Sequence, residues 1–205
     1  MLFRSVNDFI EVPDSSTALD CSAGFTVTAW VYLASYPASG YYTVMSKPDY
    51  WRAQIGSNGR IQIKYETNGT TYESATNVPL NQWTFLVWRW GPDGANRSAW
   101  LWIDSALTTR NNISGGALSP SLNNVIIGAD TSPLSPSNVF NGKIADLRLY
   151  NEGLTVASVD RMRSRDFRPD DDPRSPAGVS PPACARSFRF RRAGLSRPPA
   201  APFGP

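Results

Sequence analysis

The residues of this chain that could do chemistry are aromatic rings with polar side chains beside them. Exposed rings stack on the apolar faces of sugars, and guanidinium and amide groups hydrogen-bond the sugar hydroxyls. We therefore predict a carbohydrate-binding platform, although alternate rings of the same run would pack in a core if they behave as large aromatics usually do. The predicted platform residues are Tyr41, Tyr42, Tyr50, Trp51, Arg52 and Gln54.

The chain has 205 residues and no histidine. This composition excludes Ser-His and Cys-His nucleophiles, histidine acid–base catalysis and histidine metal ligands. The two cysteines, Cys21 and Cys184, lie in regions of different composition, so we do not expect a disulfide between them.

Alternating residues and regularly spaced turn signals predict an all-β domain. The spacing is typical of a two-sheet antiparallel sandwich. Only residues 154–163 have a helical pattern, with Thr155 as the N-cap. The predicted strands span residues 9–12, 25–33, 41–46, 51–55, 61–67, 70–75, 83–90, 99–103, 124–128 and 140–150.

A second aromatic set lies on two of these strands. Thr84, Leu86, Trp88 and Trp90 share one face of the strand that spans residues 83–90. We expect Trp88 and Trp90 to pair in the core with tryptophans of the next strand, Trp102 among them. If these rings instead lie bare on a concave sheet, they form a binding face. Alternation alone does not show whether this face of the sheet points to the core or to solvent.

Charge and proline content divide the chain near residue 163. Residues 1–162 carry 11 Lys and Arg against 13 Asp and Glu, whereas residues 163–205 carry 9 Arg, 4 Asp and 9 of the 17 prolines. We predict a folded domain over 1–162 and a disordered Pro/Arg-rich tail over 163–205. The mildly acidic domain excludes a basic nucleic-acid-binding stripe, and no apolar run is long enough for a membrane span. The N-terminus does not have the pattern of a signal peptide.

Six segments follow one another in the order of a known family. They resemble the laminin-G-like jelly roll of the concanavalin A-like lectin/glucanase superfamily over about residues 2–162. Three departures stand out: Arg4-Ser5 replaces an expected Asp-Gly, Ser105 replaces a turn glycine, and the acid of the closing strand, Asp146, comes one step late. The segments are FIEVP at 9–13, FTVTAWV at 25–31, QWTFL at 82–86, LWIDS at 101–105, IIG at 126–128 and NGKIADLRLY at 141–150.

The resemblance implies a jelly-roll fold, an extracellular or surface-displayed setting, and a structural Ca²⁺ ion. Calcium takes several oxygen ligands, carboxylates among them. By position, Asn7, Asp8 and Asp146 would hold it. The alternative is that Asp146 pairs with Arg148 or Lys143 instead.

The resemblance also bears on catalysis, because glucanases of this superfamily carry a strand of closely spaced carboxylates that this sequence lacks. We therefore expect a non-catalytic module that recognises a glycan or a glycosylated surface partner. The alternative is a structural or protein-adhesion domain of a surface or virion protein, without specific sugar binding.

Overall fold

A computed structural model describes the backbone of residues 2–3. It describes backbone and side chains of residues 8–15, 19–65, 69–113, 121–130 and 137–164. The predicted tail, apart from its first two residues, lies outside the described residues. In chain order the elements are β1 Leu2–Phe3, β2 Ile10–Val12, β3 Phe25–Tyr32, β4 Tyr41–Lys47, β5 Trp51–Gly56, β6 Arg60–Tyr65, β7 Thr71–Asn77, β8 Trp83–Asp93, β9 Asn96–Ile103, β10 Ala106–Ile113, β11 Val125–Ile127, β12 Gly142–Tyr150 and α1 Val156–Arg163.

The strands form two antiparallel sheets, as predicted, and each sheet has six strands. We call the sheet with the strand order β1-β12-β3-β8-β9-β10 the front sheet, and the sheet with the order β2-β11-β4-β5-β6-β7 the back sheet. Among the described residues, no helix is long and apolar enough to cross a membrane.

The main core lies between the sheets and is built by strand alternation. Trp88 and Trp90 of β8 share a face, as predicted, and the structure shows that this face points to the core. Phe25 of β3 stacks on Trp51 of β5 at 4.6 Å between ring centroids, which joins one sheet to the other. These rings exclude water from the centre of the sandwich.

A second apolar cluster covers the opposite face of the front sheet. It contains Trp102, which is therefore not on the same face as Trp88 and Trp90. The prediction that these tryptophans pair with one another in the core is wrong, because successive side chains of β9 alternate so that Trp102 points to the other face. A bare binding face made of all three is also ruled out. Helix α1 packs here through Val159, and Thr155 caps it by accepting a hydrogen bond from the Ser158 amide at 3.3 Å. The cluster residues are Phe85, Val87, Trp100, Trp102, Tyr150, Leu154 and Val159.

Strands β1 and β10 were not predicted. Strand β10 pairs with β9 through a tight turn at Asp104 and Ser105, and Asp104 has a φ of 52°. The sequence of β10 is polar and largely exposed because it is an edge strand, so hydrophobic alternation could not reveal it.

The closing strand β12 contains a β-bulge that explains the late acid. Its core residues Ile144 and Leu147 are three positions apart instead of two, and the pairing with β3 shifts between Ala145 and Arg148. Asp146 sits at the shift with a φ of 45°. Because the bulge inserts one residue, Asp146 comes one position later in the sequence, while Ile144 and Leu147 both still face the core.

Gly142 is required where β12 approaches β3. A Cβ atom at this position would lie 2.5 Å from the Tyr32 carbonyl oxygen and 2.9 Å from the Phe140 ring. We expect Gly142→Ala to lower the free energy of unfolding by about 1–3 kcal/mol, because backbone must shift to relieve the overlap. Urea denaturation measures the change. Asn141→Ala, at the exposed neighbouring position, should stay within about 0.5 kcal/mol of the wild type.

The buried thiol of Cys21 supplies a test of core integrity. Burial raises the pKa of Cys21 to about 12, so the thiol is protonated and unreactive near neutral pH. In a Cys184→Ser variant, iodoacetamide at about pH 8 should leave native Cys21 unmodified and alkylate it in denaturant. Rapid alkylation of the native protein would show that this part of the core opens readily.

Candidate functional site

Polar side chains line the outer face of the back sheet. On β5, Trp51, Ala53 and Ile55 point into the core. Successive side chains of a strand point to opposite faces, so Arg52 and Gln54 point outwards. Strand β6 repeats the pattern: alternate residues from Ile61 to Tyr65 face the core, and those between them face out.

Antiparallel pairing aligns these outward residues in rows across the sheet. Across the sheet, Thr43 pairs with Gln54, Gln54 pairs with Gln62, and Gln62 pairs with Glu73. We call this surface the polar face. Its residues are Tyr41, Thr43, Ser46, Arg52, Gln54, Gln62, Lys64, Glu73 and, from the loop after β11, Asp130.

The row is joined by hydrogen bonds. The Gln54 amide donates to Gln62 Oε1 at 2.8 Å, and the Gln62 amide donates to Glu73 Oε1 at 2.6 Å. These bonds hold the amide planes in one orientation. The row therefore presents fixed donors and acceptors, because its members are ordered before any ligand arrives.

Beside the row, an ion pair anchors the polar face. The Arg52 guanidinium contacts the carboxylate of Asp130, which is only 2% exposed, and Asn138 donates to the same carboxylate at 3.2 Å. Arg52 also donates to the Tyr41 hydroxyl at 3.3 Å, and Ser46 donates to the Ala129 carbonyl at 3.0 Å. The positive charge of Arg52 is thus compensated by a buried carboxylate, and the Tyr41 ring is held at the edge of the row.

Two polar atoms of this face have no internal partner. Gln54 Oε1 and Thr43 Oγ1 are buried and accept or donate no hydrogen bond within the described part of the chain. They belong to directly paired residues of β4 and β5. A buried polar group without a partner costs free energy, and water or a ligand is the common explanation.

The structure brings together three of the six predicted platform residues. Tyr41, Arg52 and Gln54 share the polar face. Tyr42, next along β4, turns to the core and meets the Phe140 ring edge-on at 5.9 Å.

Tyr50 and Trp51 correct the prediction of a four-ring platform. Trp51 is fully buried against Phe25, and Tyr50 is 2% exposed. Burial raises the pKa of the Tyr50 hydroxyl well above its usual value. Both rings pack the interior, which was the alternative interpretation, so Tyr41 remains the single aromatic of the predicted set on the polar face.

Six residues of the polar face were not predicted from the sequence: Thr43, Ser46, Gln62, Lys64, Glu73 and Asp130. Gln62 and Lys64 could have been found, because Ile61, Ile63 and Tyr65 mark the inner face of β6 and leave the residues between them outside. Asp130 lies in a loop, where no periodicity reveals its position.

The predicted calcium ligands are not assembled among the described residues. The Asp146 carboxylate receives two hydrogen bonds from Arg148, at 2.9 and 2.8 Å. Asn7 lies outside the described residues. Within the described ranges, no group of three or more His, Cys, Asp and Glu side chains could hold a metal ion. The calcium site stays a prediction, and the Asp146–Arg148 pair is the arrangement that the alternative expected.

Solved structures with similar folds include proteins that bind sugars. A proposed carbohydrate binding protein from Bacteroides ovatus has a TM-score of 0.57 at 13% identity and covers 78% of this chain, which spans only 43% of that protein. The CBM40 of a Ruminococcus gnavus sialidase, bound to α2,3 sialyllactose, has a TM-score of 0.62 at 11% identity and covers 80% of this chain and 96% of its own.

A third similar structure is domain 4 of the arabinanase AbnA from Geobacillus stearothermophilus, in complex with arabinotriose. Its TM-score is 0.56 at 18% identity, with 76% of this chain and 72% of that chain covered. At these identities the likeness shows the fold alone. No curated protein sequence matches the chain.

The family itself is shown by sequence. A laminin G family model, described as the concanavalin A-like lectin/glucanases superfamily, matches residues 4–160. This match covers strands β2 to β12 and the first five residues of helix α1. The chain belongs to the concanavalin A-like lectin/glucanases superfamily.

Proposed function

We propose that this chain is a non-catalytic module that binds a carbohydrate on the polar face of the back sheet. The observation that carries the proposal is the hydrogen-bonded row Gln54–Gln62–Glu73 beside Tyr41 and Arg52. Amide, carboxylate and guanidinium groups together offer both donors and acceptors, which is what a sugar with several hydroxyls requires. The Tyr41 ring supplies an apolar surface at the edge of the row.

The electrostatics favour a hydroxyl-rich, uncharged sugar over an acidic one. The guanidinium of Arg52 is already paired with the buried Asp130 carboxylate. The remaining N–H groups of Arg52 can donate hydrogen bonds to sugar hydroxyls. Because the charges of Arg52 and Asp130 compensate each other, the pair does not attract an anionic sugar. The similar structures bound to sialyllactose and arabinotriose support glycan binding as a class without selecting the sugar.

The module works by recognition rather than by hydrolysis. Most glycosidases hydrolyse the glycosidic bond with two carboxyl groups that flank it. On the polar face, Glu73 is bonded to Gln62, and Asp130 is buried in its pair with Arg52. Both carboxylates thus serve to orient neighbouring side chains. A surface-displayed or extracellular setting suits such a module, as the resemblance implies.

Substitution of Gln62 tests the polar face directly. A glycan array with the full chain identifies the ligand, and calorimetry then measures its affinity. We expect Gln62→Ala to weaken binding about five- to tenfold, because the substitution removes direct hydrogen bonds and frees its neighbours. Gln82→Ala is the matched control, since Gln82 is exposed just before β8 of the other sheet. Equal affinity in both variants would place the binding site elsewhere.

Removing the charge of Asp130 should change selectivity. In Asp130→Asn, the guanidinium of Arg52 loses its compensating carboxylate and becomes an anion-binding group. We expect the ratio of affinities for sialylated over neutral glycans to rise about tenfold or more relative to wild type. A thermal melt of the variant checks that the sandwich is retained. An unchanged ratio would contradict the role given to this ion pair.

Calcium is tested in the same screen, run with added Ca²⁺ and with a chelator. A chelator-dependent loss of binding or fall in melting temperature would support a metal held by Asp8 and Asp146. Identical results under both conditions would indicate that Arg148 alone supplies the charge that balances Asp146.

The second candidate function is a structural or protein-adhesion domain. It is favoured by the burial of the large rings: Trp51, Trp88, Trp90 and Trp102 all lie in the interior and serve packing. Under this function no glycan of a broad array binds saturably, and substitutions on the polar face leave the array result unchanged.

A further inference from the structure

A lysine ammonium is buried between two aspartate carboxylates at one end of the main core. Lys47 Nζ lies 2.5 Å from Asp14 Oδ2 and 2.5 Å from Asp20 Oδ1. The side-chain exposures are 0% for Lys47, 1% for Asp14 and 5% for Asp20. This cluster, the Lys47 cluster, is not part of the polar face and has no role in the proposed function.

Three separate segments bring the cluster together. Lys47 ends β4, Asp14 follows β2, and Asp20 precedes β3. Backbone amides fix both acids: Leu19 N–H donates to Asp14 Oδ2 at 3.2 Å, and Ser121 N–H donates to Asp20 Oδ2 at 3.1 Å. Each acid is thus oriented independently of the lysine.

The charges of the cluster are costly where they lie. Taking an ammonium and a carboxylate out of water costs free energy that mutual attraction offsets only in part. One ammonium also faces two carboxylates, which is one acid more than a simple ion pair needs. An amide between lysine and one acid would remove a positive and a negative charge from the interior at once.

We propose that Lys47 and Asp14 condense to an intramolecular isopeptide bond, with Asp20 as the proton carrier. The lysine nitrogen attacks Cγ of Asp14, and a C–N bond forms. Of the three ammonium protons, one stays on the amide nitrogen. The other two pass to the departing Asp14 oxygen, at least one of them through Asp20 Oδ1, and water leaves. No oxidant, reductant or activating group is consumed.

The geometry assigns the electrophile and the carrier. Asp14 Oδ2 lies 2.5 Å from Lys47 Nζ. The adjoining carbon, Asp14 Cγ, is therefore close to the distance of about 3–3.5 Å from which attack proceeds. The Leu19 amide, bonded to Asp14 Oδ2, is placed to stabilise the negative charge that develops on this oxygen during attack. Asp20 holds one oxygen on Nζ and the other on a backbone amide, which suits a group that accepts and returns a proton.

The bond would join residue 14 covalently to residue 47 and close a loop that contains β3 and β4. The chain entering the sandwich through β2 would then remain attached to β4 even when the hydrogen bonds of the back sheet open. Loop closure of this kind stabilises a fold mainly by restricting the unfolded chain.

Intact mass spectrometry of the denatured full-length chain tests the proposal. We expect the wild type to be lighter than its sequence by one water molecule. The loss must be located, because the Asp93-Gly94 pair can also lose water by cyclisation. Trypsin does not cut Lys47-Pro48, so the bond lies within the peptide 5–52. Chymotrypsin, which cuts between the two residues, should release two peptides joined through Lys47 and Asp14.

Variants assign the roles. Asp20→Asn and Lys47→Met should both have the full sequence mass, whereas the control Lys64→Met, which replaces a lysine of the polar face, should keep the loss of water. A wild type of full mass, or a loss of water located at Asp93, overturns the proposal. An Asp20→Asn variant that still loses water at Lys47 overturns the assignment of Asp20 as carrier. None of these results depends on glycan binding.

Discussion

Strand alternation is the constraint on which the rest of this molecule depends. Each strand sends successive side chains to opposite faces, so a single core can use only half of them. In the front sheet the other half is also apolar, and helix α1 covers part of it. In the back sheet the other half is polar: Thr43 and Gln54 are buried there, and Gln62 and Glu73 are half-buried. The front sheet therefore serves stability on both sides, whereas the back sheet has one apolar side in the core and one polar side joined by hydrogen bonds.

The covering of the front sheet is itself held by polar groups. Arg89, on the outer side of β8, donates to the Leu154 carbonyl at 3.0 Å, while the Leu154 amide bonds Thr26 Oγ1 at 3.0 Å. Burial lowers the pKa of Arg89. The charged guanidinium is stabilised by its carbonyl partners and by the Trp100 ring, whose centroid lies 4.2 Å from Arg89 Cζ. The short helix is thus attached to the sheet at the residues that lead into it.

Much of the fold could be predicted, because strong alternation marks the inner strands and turn residues mark their ends. β3, β8 and β12 emerged in this way, and so did the helix cap at Thr155. β10 escaped because an exposed edge strand has no apolar period. For the site, the pattern located β5 but not its orientation: adjacent residues Trp51 and Arg52 share a segment and take opposite faces. Asp130, which sets the charge of the polar face, could not be found, since loop positions depend on tertiary contacts.

The two-sided front sheet has a practical consequence for expression of this domain. A fragment that stopped at Tyr150 would contain all twelve strands, yet it would lose Leu154 and Val159 and uncover the indoles of Trp100 and Trp102. A contiguous apolar patch of this kind promotes self-association. The end of the folded unit is accordingly defined by its last helix rather than by its last strand.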